Sequence, residues 1–388
     1  ESVVLNQGKL DDMRQLLSKV ELAEAGDPLS EALQRERGRS AVFLASSPGS
    51  DAARQAERDL AEQRRQTDAR ISDYQRHINA LMTVVSFDRT VETSIQSFHQ
   101  ELDNIGALRR SVDNRNDVAP RYTAMIMELI DRIGLIVRRS TDPQLTRQVN
   151  GYYALAKAAE MAGRERAAGA SLIRSGDFDL PAVARIASLG GQQEAFLNEA
   201  TAMLAADNEI LAILENLSRS FASQALAQRR ETLFSSPSGM YALDASDWFT
   251  TTTQRISNLN QARKDLLSDV MSLASAGVTD ARNDLMLASG ISAGAVIAVL
   301  VLMLVIIRAI NLQVGRLLDG VRFAMDNKDL TREIEISSRD EVGTIGKAIN
   351  ELFGRFGNAL LHIDKSSIQL ATATEETSST AGQNASQV

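Results

Sequence analysis

Apolar residues recur at spacings of three and four along most of this chain, the signature of helices with one buried face. Strand-like alternation bounded by turn signals is absent. One stretch departs from the pattern by having no polar face. From Leu285 to Ile307 it reads LMLASGISAGAVIAVLVLMLVII, with Asp284 before it, Arg308 after it and no charge between. A helix of this length, at ~1.5 Å per residue, crosses a hydrocarbon core ~30 Å thick. A transmembrane helix is therefore predicted over 285–307, with a large body at 1–284 and a small one behind it.

Turn signals punctuate the large body at Gly26-Asp27-Pro28, Ser47-Pro48-Gly49-Ser50, Asp117 to Pro120, Thr141-Asp142-Pro143, Ser175 to Pro181 and Ser235 to Gly239. Asp27 before Pro28 and Asp142 before Pro143 read as a helix cap followed by a first-turn proline. Roughly eight helices are expected before the membrane, the last running from about Asp244 straight into the span. The fold class predicted is all-α, the outer body being two four-helix bundles or one long one.

Composition agrees. Six prolines and 4% aromatic residues favour long helices over sheet. The net charge is −8, and no basic tract suggests nucleic acid. His77, His99 and His362 are scattered without metal spacing, there is no cysteine, and no nucleophile–base constellation appears. No metal, cofactor or catalysis is expected. Arg308, Arg316 and Arg322 follow the span, whereas Arg282 stands among Asp280 and Asp284. The positive-inside bias thus puts the C-terminal side in the cytoplasm and 1–284 outside, in a bacterium the periplasm. Residue 1 is Glu and no other apolar run of spanning length occurs, so an export signal or first span is expected upstream.

Candidate chemistry comes from an internal echo. Residues 35–41 read RERGRSA and residues 164–170 read RERAAGA. Leu33, Arg37, Ser40 and Leu44 share one helix face, as do Leu155, Ala159, Ala162, Arg166, Gly169 and Ile173. The second arginine of each copy therefore sits on the core-facing stripe, among small residues. Arg35 and Arg164 each have a glutamate one turn back, Glu31 and Glu160, and read as ordinary exposed helix pairs. Arg37 and Arg166 have no carboxylate on their own helix. An inward guanidinium needs an anion, because leaving it unpaired is costly. Either a facing helix supplies a carboxylate, which would make the body a scaffold, or a small planar oxyanion binds there, matching the guanidinium fork. In the second case both arginines are expected to face one cavity.

The runs LQRERGRSAVFLAS (Leu33 to Ser46) and RRQTDARI (Arg64 to Ile71) resemble the first signature of the nitrate- and nitrite-sensing NIT domain. YYALAKAAEMAGRERAAGASLIRSGDFD (Tyr152 to Asp179) resembles its second, and GQQEAFL (Gly191 to Leu197) the continuation. The resemblance implies two stacked four-helix bundles that bind nitrate or nitrite. It assigns the ligand to Arg37 and Arg166, with Arg35, Arg39, Arg164 and Ser40 as lesser contacts.

Behind the span, Ile310, Val314, Leu317, Val321 and Ala324 step by four and three. A polar connector, Asp326 to Ser338, carries Leu330 and Ile334, and a second stripe follows at Ile345, Ile349, Leu352, Phe356, Ala359 and Ile363. Two such helices can pair in a homodimer as a parallel four-helix bundle. With NKDLTREI (Asn327 to Ile334) and Asp340-Glu341-Val342-Gly343, the region at 308–360 resembles a HAMP domain, although the family's usual proline is absent near Asn311 to Gln313. Residues 361–388 read as the start of a signalling helix. There Ala371 to Thr380, with Glu375 and Glu376 among small residues, resembles a methylation site of methyl-accepting chemotaxis receptors, Glu376 being the expected acceptor and Glu375 the next. These resemblances imply an inner-membrane chemoreceptor whose kinase, adaptor and methylation enzymes dock on a portion beyond Val388. The alternative is a sensor of another small anion with a histidine kinase or cyclase output.

Overall fold

The computed structural model describes residues 2–137, 142–206, 208–236, 238–336 and 338–385, all helix and connection, with no strand among them. The helices are α1 (Ser2–Ala45), α2 (Asp51–Val84), α3 (Arg89–Asp103), α4 (Ile105–Asp113), α5 (Ala119–Val137), α6 (Pro143–Ser175), α7 (Leu180–Met203), α8 (Glu209–Arg219), α9 (Phe221–Phe234), α10 (Ala245–Asn327) and α11 (Glu341–Ala385). Most of the expected breaks are present. Ser50 caps α2 by accepting from the Ala53 amide, and Asp142 caps α6 with Pro143 in its first turn. Gly176 ends α6 at φ +65°, where a side chain would be strained. Thr141, in one predicted break, lies outside the described residues.

One predicted break is absent, because α1 runs through Pro28 without interruption. The Asp27 carboxylate does not cap a helix. It is buried 3.0 Å from Arg263 Nε and accepts the Tyr152 hydroxyl at 2.7 Å. Conversely, α3, α8 and α9 start at Asp88, Asn208 and Ser220, whose side chains accept from amides at the helix start without help from proline or glycine. The region before the apolar span accordingly has more and shorter helices than the turn signals indicate.

These helices form two sets of the same plan. In the first, α1 packs on α2 and α5, and α3 packs on α4 and α5. In the second, α6 packs on α7, and α7 on α8 and α9. The fourth rod of the second set is the beginning of α10. It is seated by Trp248, whose indole donates to the Arg166 carbonyl at 3.1 Å and whose ring occupies the space beside Gly169. Further along, Leu259, Ala262 and Leu266 are fully buried, each Leu contributing on the order of 2 kcal/mol by leaving water. The two sets join where α6 meets α1 and α5.

The chain separates into two compact units, 1–288 and 289–388. Within α10 an 18-residue window has a mean hydropathy of 2.9 and no buried residue, so its apolar side chains have no protein partner. This is what a bilayer-facing helix requires. In the second unit, the connector between α10 and α11 lies back on both. Ile334 packs over Gly320, Ile336 and Leu317 both pack over Gly346, and the Asn350 amide clasps Ile334 at both backbone N and O, each at 2.9 Å. The α10 helix continues unbroken through Asn311 to Gln313, where the sequence offers no proline.

Candidate anion-binding site

The two Arg-Glu-Arg copies lie on α1 and α6, which pack against each other. Small residues let them approach closely. A Cβ at Gly163 would be 3.2 Å from Arg37 Nη2, and one at Gly38 would be 3.4 Å from Arg166 Nη2. Each arginine thus reaches across the other's helix.

The repeat extends beyond the arginines. The central glutamates, Glu36 and Glu165, are fully buried. Each is gripped through both oxygens by an arginine of its own set, on α4 for Glu36 and on α9 for Glu165. Arg109 holds Glu36 at 2.8 and 2.9 Å, and Arg230 holds Glu165 at 2.5 and 2.8 Å. Tyr122 completes Glu36 with a 2.7 Å hydrogen bond, and Gln193 completes Glu165. The second arginines also have matching partners, on α5 and on α10. Arg37 donates to Thr123 Oγ1 at 2.7 Å, and Arg166 donates to Thr253 Oγ1 at 3.0 Å.

There the symmetry ends. Arg37 meets the Glu160 carboxylate with both terminal nitrogens, at 2.6 and 3.0 Å. Gln34 and Arg164 fill the rest of that carboxylate at 3.0 and 2.8 Å. Burial alone would push the Glu160 carboxyl up, but Arg37 and Arg164 outweigh it and hold the carboxyl below its ordinary value. The equivalent carboxylate for Arg166 would come from Glu31, since Glu31 and Glu160 are as far apart as Arg37 and Arg166 (160 − 31 and 166 − 37). Glu31 instead pairs with other cations. Its Oε1 lies 3.2 Å from Arg263 Nη2 and 3.0 Å from Lys264 Nζ, and its Oε2 lies 3.5 Å from Arg35.

Arg166, only 9% exposed, makes no ion pair among the described residues. Beyond Thr253 its guanidinium stacks over the Phe249 ring at 4.6 Å. Burial, then the cations of Arg37, Arg39 and Arg35, bring its pKa down to about 10. It borders a cavity of about 290 Å³ that is also lined by Glu31, Arg35, Gly163, Thr253 and Lys264. At ~30 Å³ per liquid water, this holds a small oxyanion with several waters. Asn260 lines it too, its Oδ1 buried and without a hydrogen-bond partner among the described residues.

The predicted residues therefore separate. Arg166 and Arg35 line the cavity. Arg37 does not, because Glu160 on the facing helix satisfies it, so the expectation of one void shared by both guanidiniums is corrected. Arg164 is drawn into the Glu160 cluster, and Arg39 pairs with Asp59 at 3.3 Å. Ser40 is buried beside Tyr122 and is not among the residues lining the cavity. The two helix pairs expected to be exposed do form, but Glu31 and Glu160 are themselves buried, being turned inward by the cations around them. Glu36, Glu165, Arg109, Arg230, Thr253 and Lys264 were not singled out from sequence, although the Glu pairs repeat at the same separation as the arginines.

The model of the family described as nitrate and nitrite sensing matches residues 28–271, and that of the HAMP domain matches residues 305–357. No match was found among curated proteins. A solved structure described as "Structure of the NasR transcription antiterminator" superimposes with a TM-score of 0.59 at 17% identity, covering 91% of this chain and 95% of that one. At this identity the likeness speaks to the fold. With its sensor region followed by an apolar helix and a HAMP domain, the chain belongs to the nitrate and nitrite sensing family and has the build of a transmembrane signal transducer.

Proposed function

We propose that this protein is a bacterial inner-membrane chemoreceptor that binds nitrate or nitrite at Arg166 in its periplasmic region. The observation carrying the ligand assignment is the contrast between two equivalent arginines. One has a carboxylate locked onto its fork, and the other borders an open cavity whose wall holds Arg35, Lys264 and Glu31. A planar monoanion supplies the paired oxygens that Glu160 supplies to Arg37. Its charge offsets an otherwise uncompensated buried cation, which favours the packing of α6, α1 and α10 that encloses it. An anion preferring that packing shifts the population of receptor states.

The output reading rests on the second unit. Ile345, Leu352, Phe356 and Ile363 are all at least half exposed on α11 of the single chain, as the seam of a parallel homodimer would be. Glu375 and Glu376 are exposed on the same helix, open to a methyltransferase, with small neighbours. Arg308, Arg316 and Arg322, which follow the span, support the reading that this side is cytoplasmic. We assign the protein no catalytic step.

The test is a titration of the full chain in detergent with nitrate, nitrite, chloride and sulfate. The chain has one tryptophan, Trp248, bonded to the Arg166 backbone, so its fluorescence reports directly from the site. Saturable binding of nitrate or nitrite, lost in Arg166→Ala, is expected. Binding that survives Arg166→Ala unchanged would sink the assignment.

A further inference from the structure

The cavity beside Arg166 has a second wall, formed by the helix that runs toward the membrane. Thr253, Asn260 and Lys264 all belong to α10, which continues as one helix to Asn327. We propose that Lys264 is a ligand residue held in reserve by Glu31, and that anion binding at Arg166 transfers its ammonium from the Glu31 carboxylate to the anion. The proposal rests on the reading of Arg166 as the anion site and adds to it a residue on the transmitting helix.

Three observations carry it. First, the cavity wall has three cations, Arg35, Arg166 and Lys264, against one carboxylate, Glu31, so there is a surplus of positive charge before any ligand arrives. Second, Glu31 has more cations than it needs. Lys264 shares Oε1 with Arg263, which is fully buried and also held by Asp27, while Arg35 approaches the other oxygen. If Lys264 leaves, Glu31 stays neutralised, so release is cheap. The Lys264 side chain is 49% exposed, and a contact of that kind contributes at most about 1 kcal/mol. Third, the matching glutamate in the other half does the reverse. Glu160 gives its oxygens to the arginine across the interface, whereas Glu31 is retained by its own cluster with Arg263 and Lys264 of α10. Glu31 is thus the internal rival of the ligand for the Lys264 charge.

The exchange is a change of partner on α10 itself. Because α10 has no break between Lys264 and the apolar span, a pull on Lys264 acts on the element that crosses the membrane.

The test compares nitrate titrations of the full chain in detergent, followed by Trp248 fluorescence and by calorimetry. Lys264→Met is expected to weaken nitrate binding on the order of tenfold, and Lys264→Arg to retain most of it. Glu31→Gln is expected to tighten binding by up to about fivefold, because the competing carboxylate is gone. A merely structural role would weaken binding in both Lys264→Met and Glu31→Gln. If wild-type protein binds nitrate and Lys264→Met binds it equally well, or if Glu31→Gln weakens binding, the assignment of Lys264 is overturned while the anion site stands. If wild-type protein binds none of the four anions, the site and this proposal fall together.

Discussion

Two arginines with the same motif, on matching helices, should respond oppositely to the same substitution. Arg37→Met removes the fork that neutralises Glu160 and leaves a fully buried carboxylate with Gln34 and Arg164 alone. Breaking a buried pair from one side costs about 3–5 kcal/mol. Arg166→Met instead removes a buried cation that has no carboxylate. The lowering of its pKa from the ordinary guanidinium value to about 10 corresponds to a ceiling of about 3 kcal/mol of unfavourable charge burial at neutral pH. Against that, the variant loses the Thr253 hydrogen bond and the stacking on Phe249, about 1 kcal/mol each. Without nitrate, Arg166→Met should therefore melt at or above the wild-type temperature, and Arg37→Met on the order of 10 °C below it. With nitrate at about 100 times its Kd, wild type should gain about 2.7 kcal/mol and Arg166→Met nothing. Thermal melts of the full chain in detergent, with and without nitrate, followed by Trp248 fluorescence, supply all the comparisons. If Arg166→Met loses as much stability as Arg37→Met, or keeps the nitrate-dependent gain, the asymmetry between the two sites has no energetic meaning.

Acid should act through Glu160. Its folded-state pKa is lowered, so its contribution is complete above its ordinary value of 4.5 and is lost as the pH falls below that toward the lowered value. Melts across that range should show the loss in wild type and its absence in Glu160→Gln. In the second unit, Asn350→Ala should leave the connector unclasped at Ile334, a cost of about 1–3 kcal/mol, visible as faster amide exchange at Ile334 with no change in nitrate affinity. Co-expression with a chemotaxis methyltransferase should add a methyl group to the peptide bearing Glu375 and Glu376, and Glu376→Ala should remove most of it; an unmodified peptide would favour a different output.

What the sequence determined by itself is what local pattern and composition control. The uncharged run from Leu285 to Ile307 specified a helix long and apolar enough to cross a bilayer, because no charge interrupts it over that length. Three- and four-residue spacing specified helices, and the Arg-Glu-Arg echo put Arg37 and Arg166 on inward faces, since those properties depend only on neighbours along one helix. Caps without proline or glycine, at Asp88, Asn208 and Ser220, were illegible for the same reason: such residues occur on any polar surface. Tertiary structure alone decided which inward charge was already neutralised. Glu31 and Glu160 occupy equivalent positions one turn before a surface arginine, and each pairs with it as helix spacing dictates. Only the packing of α6 on α1 brings Glu160 to Arg37, and only α10 brings Arg263 and Lys264 to Glu31. A carboxylate goes to whichever cations surround it in space, so equal sequence motifs became one closed ion pair and one open site.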